Sequence, residues 1–208
     1  MGFASRRIVK FWLFLSVAML ASAEEPPRNG GWWLTLSEGE QEMFATGFLD
    51  CACFYRVRSF CPRGIVAVDL AEQTTLYFCR ARGEGSELVR DAFAKLATRA
   101  TRFPLPGGEP AHGPHSGNDG EFWRADVHGL KEKAAFVAGY LDCYRNVVKG
   151  DLMFPLSPEQ YARKIDEWYG FDETQDSIRP GTEEVPIADV LMKFGIPKGA
   201  SKPKNGKQ

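Results

Sequence analysis

The chain reads FATGFLDCACF over residues 44–54 and FVAGYLDCYRN over residues 136–146. Gly, an aromatic residue, Leu, Asp and Cys recur in the same order, and that recurrence decides the fold. In the first block apolar side chains fall at Phe44, Phe48, Cys51 and Tyr55, which is helical spacing. Ser37 followed by Glu40 supplies a capping box, so the pattern predicts a helix from about 38 to about 58. The second block lies within a stripe of Leu130, Ala134, Val137, Leu141, Tyr144 and Val148. It predicts a helix from about 125 to Lys149, closed by Gly150 in the left-handed conformation.

Glycine in a helix interior costs about 1 kcal/mol relative to alanine. Both blocks carry that cost at the same place, Gly47 and Gly139, so something must offset it. Residues four apart share a helix face, which puts Gly47 beside Cys51 and Gly139 beside Cys143. Faces made of small residues let two backbones approach closely. The expectation is that the two helices cross at these faces about an approximate twofold axis, walled by Phe44, Phe48, Phe136 and Tyr140. Cys51 and Cys143 then hold equivalent positions. One reading is a disulfide between the two halves, which needs Cα atoms within about 7 Å. The plainer reading is a pair of small buried residues, since free cysteine is among the most buried types.

The similarity extends outward. GGWW at Gly30–Trp33 matches GEFW at Gly120–Trp123, and LVRDAFAKL at 88–96 resembles IADVLMKF at 187–194. The chain is read as two helical copies, residues 30–103 and 118–196, in one all-α pseudo-twofold domain with about three helices per copy. Residues 104–119, PLPGGEPAHGPHSGND, form a Pro/Gly-rich linker. Ser157-Pro158-Glu159-Gln160 opens a short helix carrying Tyr161, Ile165 and Trp168, which Gly170 ends. Ser86 caps a helix through about Ala100; Pro186 starts the last helix and Gly195 stops it. Gly64–Phe78 tolerates a strand, but its counterpart in the second copy is helical, so it too is read as helix.

Residues 1–23 read as a signal peptide: Arg6, Arg7 and Lys10, then an apolar run, then Ala21-Ser22-Ala23. Periplasmic or secreted localisation follows, with no membrane span in the rest of the chain. Residues 197–208 form a basic tail with no large apolar side chain, expected to be disordered. The whole chain carries a formal charge of −1, and loss of the basic leader makes the remainder more acidic, which gives nucleic acid no basic face to meet.

The five cysteines are too few for a disulfide-dependent fold, and an odd number leaves at least one thiol unpaired within the chain. Cys61 and Cys79 flank one segment and can pair, with Cys53 as the competing partner. No second Cys or His pair stands at zinc spacing, so no metal site is read, and no motif asks for a cofactor. Asp50 and Asp142 carry the one catalytic alternative, an acid and a base facing across a cleft. Against it, a duplicated scaffold repeats whatever holds it together, and acid and base carboxylates need unlike surroundings. The structural reading has each accept a hydrogen bond inside its own copy, with the indole of Trp33 or Trp123 as donor.

Asn29-Gly30 to Trp33, Asn118 to Trp123, Gly139 to Asp142, Ser157-Pro158, and Ile165-Asp166 with Tyr169 resemble a pattern of small exported bacterial helical proteins of unknown function. Phe60-Cys61-Pro62 to Phe78 is similar to a helix-opening stretch of periplasmic type VI amidase-immunity proteins. The resemblance implies a non-catalytic interaction protein of the bacterial envelope with an envelope protein as partner, its sharpest form an immunity-like plug. An envelope hydrolase using the paired carboxylates and a periplasmic spacer are the alternatives.

Overall fold

The computed structural model describes residues 27–57, 59–60, 65–80, 84–102, 118–124, 128–171 and 178–199. The leader, Cys61 and all but the end of the linker lie outside the described residues. The elements are α1 (Gly30–Trp33), α2 (Glu38–Phe54), α3 (Ala67–Arg80), a 3-10 turn (Glu84–Ser86), α4 (Val89–Arg102), α5 (Leu130–Cys143), a π-helical turn (Tyr144–Val148), β1 (Leu152–Met153), α6 (Pro158–Tyr169), α7 (Ile187–Lys193) and β2 (Ile196–Pro197). The fold is mostly helical. α2 and α5 pack against each other at the centre, α3 covers α2 and α6 covers α5, and α4 and α7 lie against α3 and α6.

The helix starts follow local chemistry. Ser37 Oγ accepts the Glu40 N–H while the Glu40 carboxylate accepts the Ser37 N–H. Ser157 and Gln160 do the same at α6, where Pro158 fills the first turn. At α5 half of this device remains: Gly129 has no side chain, but Glu132 Oε2 accepts its N–H at 3.1 Å. That cap places the start at Leu130, later than the stripe alone indicates.

The helix ends differ more from expectation. α2 stops at Phe54, because Arg56 takes φ 53 and lets Val57 N–H reach Ala52 O and Arg56 N–H reach Cys53 O. This is a Schellman closure made without glycine. α5 widens into the π-helical turn, and Lys149, not Gly150, takes the left-handed position at φ 56. Gly150 has a different reason to be glycine: the Tyr144 ring occupies the place of its missing Cβ. The Tyr144 hydroxyl donates to Asp151 Oδ1 at 3.3 Å and accepts the Leu152 N–H at 3.2 Å. Gly170 does close α6, at φ 88.

The segment from Gly64 is helical from Ala67. Ser86 sits in the 3-10 turn, and α4 begins three residues later because the chain between them is extended against Asn29. There Gly30 N–H donates to Glu87 O and Val89 N–H to Arg28 O, each at 2.9 Å. In the second half Gly120 N–H donates to Glu183 O and Ile187 N–H to Asn118 O, each at 3.0 Å. The start of the expected tail is ordered: Met153 pairs with Ile196 and Leu152 with Pro197, and Lys198 N–H reaches Asp151 O at 2.8 Å.

One continuous core runs through both halves. On the α2 side Trp33, Phe44, Phe48 and Phe93 meet edge to face with centroids 5.1–6.1 Å apart. Each such pair adds about 0.5–1.5 kcal/mol beyond its buried area. On the α5 side Trp123 meets Phe136 at 5.6 Å, and Phe154 links Tyr144 to Tyr161.

Candidate functional site

The site begins with the two glycines. A Cβ built on Gly47 would fall on the carbonyl oxygen of Phe136, and one built on Gly139 would fall on the carbonyl oxygen of Phe44. The two close approaches are reciprocal: each glycine receives the main chain three residues before the other. Phe44, Phe48, Phe136 and Tyr140 are all fully buried around the contact. The close approach offsets the cost of glycine at both positions, since main chain packs where a side chain would stand.

Asp50 and Asp142 follow the glycines into this interior and are 7% and 9% exposed. Neither takes an indole. Trp33 Nε1 donates to Thr75 Oγ1 and Trp123 Nε1 to Asp166 Oδ1, both at 2.9 Å, so the expected Trp–Asp bonds are replaced by bonds to α3 and α6. The cause is geometric: α3 and α6 each bring a polar side chain, Thr75 and Asp166, within hydrogen-bond distance of a buried indole. Asp142 Oδ1 accepts Asn146 Nδ2 at 2.9 Å and lies 3.8 Å from Arg28 Nη1. Arg28 comes from ahead of α1, donates to Ala138 O on α5 at 2.9 Å, and lies over the rings of Trp32 and Phe44. A cation from one half therefore serves a carboxylate of the other.

Cys51 and Cys143 are free, buried thiols in direct contact through a hydrogen bond. Burial drives the Cys51 thiol far above its ordinary value, reinforced by the Cys143 thiol and by Asp50 and Asp142. Burial also raises the Tyr140 phenol well above 10, with Cys51, Tyr55 and Asp50 adding to it. Tyr55 is pushed up to about 12, again chiefly by burial and next by Tyr144. Cys79 is a free, exposed thiol, so the Cys61–Cys79 bridge is not formed; Cys53, the competing partner, is not among the free thiols.

Two side-chain clusters escaped the sequence reading. Around Trp33, Thr75 Oγ1 donates to Gln41 Oε1 at 2.9 Å and Gln41 Nε2 donates to Trp33 O at 3.0 Å. Around Trp123, Lys133 Nζ donates to Asp166 Oδ1 at 2.7 Å and lies over the rings of Trp123 and Phe171. Lys133 is 3% exposed and Asp166 half-buried, so the second cluster is an ion pair with a buried cation where the first is neutral. The signal was present as spacing: Thr75 and Asp166 stand 42 and 43 residues after their tryptophans. Residue types differ too much for the match to be read by eye.

Two surface concavities are lined wholly by described residues. One, of about 340 Å³, lies between the start of α2, α5 and the start of α6. Ala134, Ala135 and Ala138 form its floor, Trp32 and the largely buried Arg28 line its side, and Lys131 and Glu159 stand exposed beside it. The other, of about 630 Å³, lies between α3 and α4 and gathers Arg80, Lys95 and Arg99 with Tyr77. Among the described residues no group of three or more His, Cys, Asp or Glu side chains is placed to hold a metal ion. Also among them, no helix is long and apolar enough to cross a membrane.

Asp50 and Asp142 thus lie inside the α2–α5 contact, whereas the groove beside α5 presents alanines, Trp32 and charged side chains at the described surface. No family model, no curated protein and no solved structure matches this chain.

Proposed function

We propose that the chain is an exported, non-catalytic binding protein of the bacterial envelope, with the alanine-floored groove beside α5 as the surface that meets a protein partner. An immunity-like role, a rigid helical body seated on a partner's site, is the sharpest form of this reading. One observation carries it: the carboxylates that chemistry would require are enclosed, with Asp142 committed to Arg28 and Asn146, while the accessible concavity is shaped for contact. A floor of three alanines admits close approach of a partner's backbone or side chains. Tryptophan and arginine are among the residue types enriched at binding hot spots, and Trp32 and Arg28 both line the groove.

We also infer that residues 30–103 and 118–196 are two copies related by a pseudo-twofold axis through the glycine contact. The reciprocal glycines support it. So do the equivalent backbone bonds of Gly30 and Gly120, and an aromatic ring close to the place of each missing Cβ: Phe78 at Gly30, and Tyr169 behind the nearer Ile178 at Gly120. In this reading the Trp33–Thr75–Gln41 and Trp123–Asp166–Lys133 clusters are one ancestral arrangement in neutral and charged form.

The test is affinity purification of the tagged chain from native envelope fractions, beside a Lys131→Glu/Glu159→Lys variant. Both residues are exposed on the groove rim, so the fold is kept. A protein retained by the wild type, lost by the rim variant and kept by a Lys149→Glu control supports the reading. No protein retained above background, or one retained equally by all three, overturns it.

A further inference from the structure

The geometry points to Cys51 and Cys143 as a dithiol that closes into a disulfide joining α2 to α5, taken up from a disulfide-bearing oxidant while the chain folds. Both cysteines are fully buried and free. They stand four residues beyond Gly47 and Gly139, on the faces where each helix receives the other's main chain. The glycines remove the side chains that would hold the helices apart, and the two thiols are left in contact with each other. No other described free cysteine shares their surroundings: Cys79 lies exposed at the end of α3.

The reaction is thiol–disulfide exchange. The Cys51 thiol gives up its proton and its sulfur attacks the oxidant's S–S bond, releasing one oxidant thiolate and leaving a mixed disulfide. The Cys143 thiolate then attacks that mixed disulfide and releases the second. One S–S bond forms in the chain and one breaks in the oxidant, which departs reduced, with two electrons and two protons more. A thiolate is the required nucleophile, and burial in the finished fold opposes it at Cys51. The exchange therefore belongs to folding, before α2 and α5 have shut. Afterwards both sulfurs are out of reach of reductants. The bond spans roughly a hundred residues of chain, a loop length at which cross-linking restricts the unfolded chain strongly.

The experiment refolds the full chain from denaturant with oxidised glutathione as the disulfide source, then maps peptides without reduction and assigns links by fragmentation. The expected result is a Cys51–Cys143 link. A melting temperature about 10 °C above that of the Cys51→Ala/Cys143→Ala variant refolded alongside should accompany it. The Cys79→Ser variant should give the same link and the same melting temperature as the wild type. Recovery of folded protein in which Cys51 and Cys143 both carry an alkylating label after denaturation overturns the proposal. So does Cys51 joined to any other cysteine.

Discussion

At Gly47 and Gly139 the missing atom matters more than any side chain nearby. A methyl group at either position meets a main-chain carbonyl oxygen, which cannot rotate away as a side chain could. Gly139→Ala should therefore cost about 3 kcal/mol, at the upper end for an overpacked interior. Equilibrium urea unfolding measures this, and the midpoint should fall without a change of slope. Gly129→Ala is the matched control. A Cβ there meets nothing within 4 Å, and the loss should stay under about 1 kcal/mol. Arg28 offers a second test at this scale. Its guanidinium is held between Asp142, Ala138 O and two rings, so Arg28→Ala leaves a buried carboxylate without the cation beside it. A loss of about 2–3 kcal/mol is expected in the same assay, most of it from Asp142. An Arg28→Ala/Asp142→Asn double variant should lose less.

Elements were legible where a short-range signal sets them. Ser37 with Glu40, Ser157 with Gln160, Pro158 and Gly170 each act within four residues, and the structure uses all of them. What the sequence did not reveal depends on contacts between distant residues. Arg56 and Lys149 take left-handed positions with no glycine to announce them, so the ends of α2 and of the turn after α5 carry no local sequence signal. The β1–β2 pair is two residues long and joins positions more than forty apart. The glycine contact was legible because the same cost appeared twice; the destination of each indole was not, because Thr75 and Asp166 share geometry and no chemistry. That last difference is testable between elements. Asp166→Ala leaves Lys133 buried beside Trp123 without its carboxylate, and should cost about 3–5 kcal/mol in urea unfolding. Lys133→Gln/Asp166→Thr, which writes the neutral cluster of α2 and α3 into α5 and α6, should recover most of that loss. If the double variant is as damaged as the single one, the two clusters are not interchangeable versions of one arrangement.

For the molecule as a whole, the buried phenols set the alkaline limit. Tyr55 at about 12, with Tyr140, Tyr144, Tyr161 and Tyr169 also raised by burial, stay protonated in the fold to higher pH than in the unfolded chain near 10. The unfolded state then holds fewer protons than the native one, so stability is full below pH 10 and falls as pH rises toward 12. The slope is about 1.4 kcal/mol per pH unit for each tyrosine that titrates only on unfolding. Thermal melts between pH 8 and 12 should be flat to about 10 and then drop steeply. Phenolate absorbance should rise together with loss of helix; phenolate appearing while the helix signal is intact would contradict the enclosure of these side chains.

The reciprocal seat of the glycines has one more outcome. Each half carries both a hollow and the backbone ridge that fills the other's hollow, so neither can satisfy its own surface, yet both carry everything needed to recognise the missing piece. A chain severed between residues 104 and 117 and produced as two polypeptides should therefore reassemble by mixing. Either polypeptide produced alone should seek a second copy of itself, since each carries a hollow and a ridge that a second copy can fill.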